Sequence, residues 1–470
     1  MFRKKTLAPA PSLWIATATL PTTPANTFYS RLGTALDAMG FGETIRTACA
    51  PYYEMDARKG GAPGIDPVVA FKMWFVGFFE NIASERGIVA RCADSLAIRA
   101  FLQYELTETL PHHSSLSVIR QRLPLTVFEL AFDRVLQALA KQKLLKGKRL
   151  AIDTSVLEAN ASLRSLESRL TGEAYQAYVK RLAAAAGIDP DDARAVRQFD
   201  RKRKGRTTSN DDWVNPSDPD AKIGPDKKGV TRMLYKPEHV VDADTGAIVA
   251  VRLKPGDEAD SATLEESVGA AEERINAAQG QPAGTAQVEL VTADMGYFAI
   301  EAMGALQAGG IATAIPDPVE TDRADRPLPD QVVIARTRRT AASARGRAAL
   351  RQRGATVERS FEHVLDEGGG RRTTLRGREN IAKRYCLQTA GANLALLLRS
   401  LGVPGTLRQT WAARGVVTVT LAYELMRLLR SPRLAFRRVL CVPIVVAAFR
   451  AWVFHIPFTP VQTRRFSTVC

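Results

Sequence analysis

Along residues 28–145 apolar positions recur every three to four residues, the period of helices that bury one face. FYSRLGTALDAMGF carries the first stretch. Asp66 and Pro67 then stand as N-cap and first-turn proline before VVAFKMWFVGFFENIASERGIVARC, which reads as one long apolar helix. ADSLAIRAFLQY, the turn TETLPHH and SSLSVIRQRL come next, with Ser114 or Ser115 as the cap of the last. LTVFELAFDRVLQALAKQKLL closes the helical part, and Lys146-Gly147-Lys148 ends it. The short helices on either side of the turn, the second bearing Arg120 and Arg122, have the layout of a DNA-reading pair. A plain bundle with a solvated basic face fits each helix equally well.

Beyond residue 148 the pattern turns to strands. KRLAIDTSVLEAN reads as strand then loop, and YKPEHVVDADTGAIVAVRLKPG as two strands about a turn at Ala243-Asp244-Thr245-Gly246. Residues 162–230 are polar and charged; they read as a surface insertion holding a helix, SLESRLTGEAYQAYVKRLAAAAG, and the basic run DRKRKGR. SATLEESVGAAEERINAA is an amphipathic helix, AQVELVTADMG a strand, AIEAMGALQAGG a helix and IATAIPD a strand. This order, ending on the helix TVERSFEHVL, is that of a ribonuclease-H-like α/β domain, a mixed sheet with flanking helices, here preceded by an all-helical domain. The expected divisions are an arm at 1–27, a helical domain at 28–146, the α/β domain at 147–400 and a tail at 401–470. The tail has ten arginines and one acid, Glu424, between partly apolar patches, and its fold stays open.

Charge sharpens the picture. A formal net charge of +16 on 470 residues, mostly from arginine, attracts polyanions and gives salt-dependent binding to DNA or RNA. On charge alone a basic protein without nucleic-acid contacts is the alternative. Five scattered cysteines (Cys49, Cys92, Cys386, Cys441, Cys470) form no CxxC pair or zinc spacing and suit a reducing cytoplasm. The start, MFRKKTLAPAPSLW, has no signal-peptide core, and VLCVPIVVAAF (439–449) is too short to cross a membrane. No secretory signal or membrane span is expected.

Three acids carry the candidate chemistry. Asp153 sits inside the apolar run RLAIDTSV, where an unpaired charge is costly and needs a compensating ion. Asp294 closes VELVTADMGYF just before Gly296. Glu358 opens TVERSFEHVL, after a segment from Arg336 to Arg353 with seven arginines and no acid. Singly each acid is weak evidence; together they have the composition of a two-metal nuclease site. Glu362, one turn on, shares the face of Glu358 and is the alternative third acid.

At these residues the chain resembles the DDE transposases of bacterial insertion sequences, over roughly residues 30–400. AIDTSVLEANAS is similar to their first-aspartate strand, VTADMGY to the second and TVERSF to the glutamate helix. NPSDPDAK (215–222), YKPEHVVDADTGAIVAV (235–251) and PHHSSLSVIRQRL resemble further segments of that group. The arginine and lysine of a signature found in some relatives would fall at positions 354 and 365, which are Gly354 and Leu365 here. The resemblance implies cleavage and strand transfer of DNA with Asp153, Asp294 and Glu358 as catalytic and metal-binding acids. It implies two Mg²⁺ ions, with Mn²⁺ able to substitute, double-stranded DNA as partner (terminal inverted repeats and target) and a homodimer on paired ends in the bacterial nucleoid. Expected DNA contacts are Arg120, Arg122, Lys202, Arg203, Lys204, Arg351, Arg353, Arg359, Arg371 and Arg372. A non-catalytic DNA-binding protein derived from a transposase is the rival reading.

Overall fold

The computed structural model describes residues 23–57, 64–204, 209–286, 288–318, 326–406 and 409. The expected N-terminal arm, up to residue 22, and nearly all of the tail, with Cys441 and Cys470, lie outside them.

Seven helices come first: α1 (Pro24–Ala38), α2 (Phe41–Ala57), α3 (Pro67–Phe79), α4 (Glu85–Asp94), α5 (Leu96–Leu102), α6 (His113–Arg122) and α7 (Leu125–Lys141). Asp66 caps α3 by accepting the Val68 N–H at 2.9 Å, with Pro67 in the first turn. The apolar run after it is two helices and not one. Asn81 takes a left-handed φ of 55°, and the Ser84 hydroxyl starts α4 by accepting the Gly87 N–H at 3.1 Å. The cap of α6 is also displaced from the serines, since the His112 ring accepts the Ser114 N–H. Phe71 of α3 packs on Phe41 of α2 and on Phe128 of α7, so aromatic contacts tie this region together.

The α/β part is made of β1 (Arg149–Thr154), β2 (Leu157–Glu158), β3 (Glu167–Ser168), α8 (Tyr175–Ala185), α9 (Ala193–Lys202), β4 (Trp213–Val214), β5 (Lys222–Pro225), β6 (Thr231–Asp242), β7 (Ile248–Pro255), α10 (Leu264–Gln279), β8 (Leu290–Thr292), α11 (Ile300–Ala308), β9 (Ala312–Ala314), α12 (Leu328–Ala342), α13 (Ala344–Phe361) and α14 (Arg378–Ser400). β7, β6, β1, β8 and β9 lie side by side, with β6 the antiparallel member. This is the ribonuclease-H-like arrangement. The β6–β7 turn falls where the sequence put it, with Gly246 at a φ of 80°, and Asp242 accepts the backbone N–H groups of Lys146 and Gly147 where the chain enters β1.

The insertion is built differently from expectation. Glu167–Ser168 pair with Trp213–Val214 as a two-stranded sheet. Gly172, at a φ of 70°, lies in the turn after β3, so the helix starts at Tyr175 and not in SLESRL.

α14 joins the two parts. It lies against α3 and α7 on one side and β7 on the other, and a continuous core runs from Ala25 to Leu398 through both. Gly391 is needed there, because a Cβ at that position would come within 2.5 Å of the Phe78 ring. No helix among the described residues is long and apolar enough to cross a membrane.

Candidate active site

β1 delivers Asp153. Leu150, Ala151 and Ile152 are fully buried, and the strand surfaces at Asp153, whose Oδ1 accepts the Thr154 N–H at 2.8 Å. The parallel pairing of β1 with β8 aligns Ala151 with Thr292. Continued by two residues, that register sets Asp294 beside Asp153. Asp294 caps a short turn by accepting the Gly296 N–H at 3.0 Å. Gly296 leaves room in front of this carboxylate, since a Cβ there would lie 3.2 Å from its Oδ1.

The electrostatics come from the packing. Burial pushes the Asp153 carboxyl above the usual carboxylate range, the Arg353 guanidinium opposes that rise, and the charge of Asp294 adds to it. Arg353 Nη1 donates to Asp153 Oδ2 at 2.8 Å. Its Nε is buried with no hydrogen-bond partner, so the guanidinium is only partly satisfied.

Glu358 stands apart from this pair. It is exposed, whereas Val357 and Ser360 on the same helix are buried. Five residues at about 100° each put it about 140° around α13 from Arg353. Glu362 is exposed too and begins a π-helical turn, Glu362–Glu367. Among the described residues no three of His, Cys, Asp and Glu are grouped to hold a metal ion.

Two polar clusters behind the aspartates carry residues that sequence reasoning did not single out. Glu238, paired with Thr154 across β6 and β1, is buried and receives hydrogen bonds from Lys254 Nζ (3.0 Å), the Thr263 hydroxyl (2.6 Å), the Tyr297 hydroxyl (2.8 Å) and the Ser267 hydroxyl. Lys254 also reaches Asp260 at 3.2 Å. A buried charge needs such compensation, and here it fixes the turn after Asp294 through Tyr297. His239, opposite Asp153 in the ladder, is bound by Ser360 Oγ at 2.8 Å and by the Tyr385 hydroxyl at 2.7 Å, and stacks on Phe361. It pins α13 and α14 to the strand beside the aspartates. The available signal was Glu-His in the middle of the apolar run YKPEHVV, since polar groups inside a strand must find partners.

The expected DNA contacts divide. Arg120 is not a surface residue: it is buried over the Trp74 ring and ion-paired with Glu85, which removes it from contact with phosphates. Arg122 is half-buried over the Tyr53 ring. Arg203 pairs with Asp200 at 2.8 Å, and Arg371 holds Asp366 at 2.6 Å while reaching Ser155 Oγ at 3.3 Å. Lys202, Lys204, Arg351, Arg359 and Arg372 are exposed, and Arg353 is occupied by Asp153.

Two family models match the chain. That of a transposase domain (DUF772) covers residues 20–122, most of the helical region but not α7. That of a transposase DDE domain covers residues 189–394, which include Asp294, Glu358 and most of the sheet. The chain belongs to the DDE transposases of the insertion-sequence type. Asp153 lies between the two matched stretches and is tied to the DDE domain by its place in the sheet. No curated protein and no solved structure matches the chain.

DDE transposases act in DNA transposition, bind DNA and as a family use divalent metal ions. The donor set accords with such an ion. Asp153 and Asp294 are hard oxygen donors of the kind Mg²⁺ takes, and a cation would relieve both the burial of Asp153 and its repulsion from Asp294.

Proposed function

We propose that this transposase cleaves DNA at the ends of an insertion sequence and joins the freed ends to target DNA, with Asp153, Asp294 and Glu358 as its acids. The observation that carries the reading is the meeting of Asp153 and Asp294 at the ends of two central parallel strands, one of them with a carboxyl raised by burial and by its neighbour. Asp153 and Asp294 would hold Mg²⁺, two ions with Glu358 as the third acid, and Mn²⁺ would substitute. Bound there, such ions supply activation of the attacking water or 3′-hydroxyl and stabilisation of the leaving oxygen.

The chain's own residues supply position. The Asp294 turn is held by Tyr297 on Glu238, and His239 holds the helix that bears Glu358. Lys202, Lys204, Arg351, Arg359 and Arg372 offset backbone charge, so that the scissile bond rests in line with the attacking oxygen. The helical region, residues 28–146, grips the element's ends, and a homodimer holds the two ends together. The rival, a DNA-binding protein without chemistry, is favoured by one observation, the outward placement of Glu358.

Asp294→Asn separates them. The change keeps the size of the side chain and removes the charge that holds metal. On DNA bearing the element's two ends with Mg²⁺, cleavage and joining should fall by about 10³-fold or more, since metal ions stabilise the transition state by several kcal/mol and each 1.4 kcal/mol or so is tenfold. Binding to the ends should persist. A native protein that binds the ends and never cuts them with Mg²⁺ or Mn²⁺ is the non-catalytic rival.

A further inference from the structure

A cleft of about 430 Å³ opens where the insertion leaves and rejoins the sheet. Four segments distant in sequence wall it, and Arg164, Arg232, Arg372 and Arg376 converge there against one carboxylate, Glu158. Glu158 meets Arg232 at 3.3 Å and Arg372 at 3.7 Å, and Arg232 also holds Asp226 at 2.9 Å. Arg164 and Arg376 are exposed and make no side-chain hydrogen bond or close ion pair among the described residues, although the Arg376 charge reaches the Asp218 carboxyl and opposes the rise that burial gives it.

The walls are fixed by polar bonds that run from exposed to buried. Asn215, fully buried, donates to the Ser162 carbonyl at 2.8 Å. Asn160 donates to the Thr374 carbonyl at 2.9 Å. Asp218 accepts the Tyr235 hydroxyl at 2.6 Å and the Gly377 N–H at 3.2 Å, and Asp220 accepts the Arg378 N–H at 3.1 Å. The stretch NPSDPDAK is therefore a clasp that fastens the insertion to the start of α14 and to β6. Its product is a fixed backbone that carries four guanidinium groups into one cleft, each able to match phosphate oxygens with its fork of donors.

The cleft is close to the aspartates. Glu158 lies five residues after Asp153, at most about 17 Å along an extended chain. Arg371, next to Arg372, contacts Ser155, two residues past Asp153. Duplex DNA rises about 3.4 Å per base pair, so about five base pairs span the gap.

We propose that this cleft holds the phosphate backbone of duplex DNA within about five base pairs of the bond cut at Asp153 and Asp294. The proposal rests on the transposase reading. It assigns the insertion and the segment before α14 the task of seating the flank of the cut site, with Arg164 from the one and Arg376 from the other as the residues that reach phosphate directly.

The test is fluorescence anisotropy of a labelled 30-base-pair duplex against the full chain without added metal, titrated with NaCl. Three proteins are compared: the native chain, Arg164→Ala/Arg376→Ala, and a control, Arg194→Ala/Arg197→Ala, whose two arginines are exposed on α9. Far-UV circular dichroism checks that each is folded. Each phosphate contact contributes about 0.9 to the slope of log K against log salt. The cleft variant should therefore flatten the slope by about two, with binding weakened at least tenfold at 100 mM salt, and the control should behave as the native chain does. A folded cleft variant with the native slope overturns the cleft and leaves the transposase reading standing. A control that flattens as much shows a diffuse basic surface and overturns it equally. A native chain with no salt-dependent binding sinks the transposase reading, and the cleft with it.

Discussion

The 2.8 Å contact from Arg353 to Asp153 puts a positive charge where two carboxylates would otherwise repel each other. A metal ion has to compete with that charge. Arg353→Ala should destabilise the metal-free chain by about 1–3 kcal/mol, the usual effect of leaving a half-buried charge unpaired. Added Mn²⁺ should then raise its melting temperature by more than it raises that of the native chain, because binding to the folded state alone stabilises it. Equal shifts in the two proteins would show that the arginine and the metal do not share Asp153. At this scale the sequence was most readable where a charge interrupts or closes an apolar run. Asp153 and Asp294 stood out on that ground. Arg120 could not be placed, because its partners Glu85 and Trp74 lie on other helices and pairing across that distance leaves no local pattern. The compensation of Glu238 by Lys254, Thr263, Ser267 and Tyr297 was hidden for the same reason.

Among elements, α13 is held to the sheet by Arg353 on Asp153, by Gln352 on the Ala243 carbonyl and by Ser360 on His239. Complete burial pushes that imidazole down to about 3. Its folded pKa thus lies below the unfolded value near 6.5, so its contribution to stability is present above pH 6.5 and is lost as pH falls toward 3. Between pH 7 and pH 5 the native chain should lose about 2 kcal/mol on this account, and His239→Gln, which cannot take up the proton, should lose less over the same interval. Urea titrations at the two pH values measure it; parallel losses would mean that other groups set the acid limb. The π turn after Phe361 adds a second point, since each residue gained or lost there rotates the chain beyond it by about 100°. Elements with strong periodicity or turn chemistry were readable: the β6–β7 hairpin, α10, α11 and the strands on either side of them. The split of α3 from α4 was not, although Asn81 and Ser84 lie in the polar stretch ENIASERG, because apolar residues stand on both sides of it and the whole reads as one helix. In the insertion, pairing of Glu167–Ser168 with Trp213 is a long-range contact that overrode local helix preference.

On the scale of the whole molecule, α14 makes the helical region and the sheet one body. Of its residues Tyr385 through Ala395 are buried without a break, and they belong to a core shared by both parts. Reorienting one part against the other would expose that core, at about 25 cal/mol for each Å² of apolar surface. On the reading proposed here, the surface that grips an element end and the aspartates that cut it are therefore a fixed distance apart. The protein is a ruler. Two base pairs inserted between the gripped tract and the terminal nucleotide would carry the terminal bond about 7 Å along and about 70° around the helix. Mapped at nucleotide resolution, cleavage of such an end should stay at its old distance from the gripped tract or vanish; a cut that moves with the displaced terminus would mean that the two parts do slide. The spacing that defines a valid end is then a dimension of the folded chain, read off the DNA as a length.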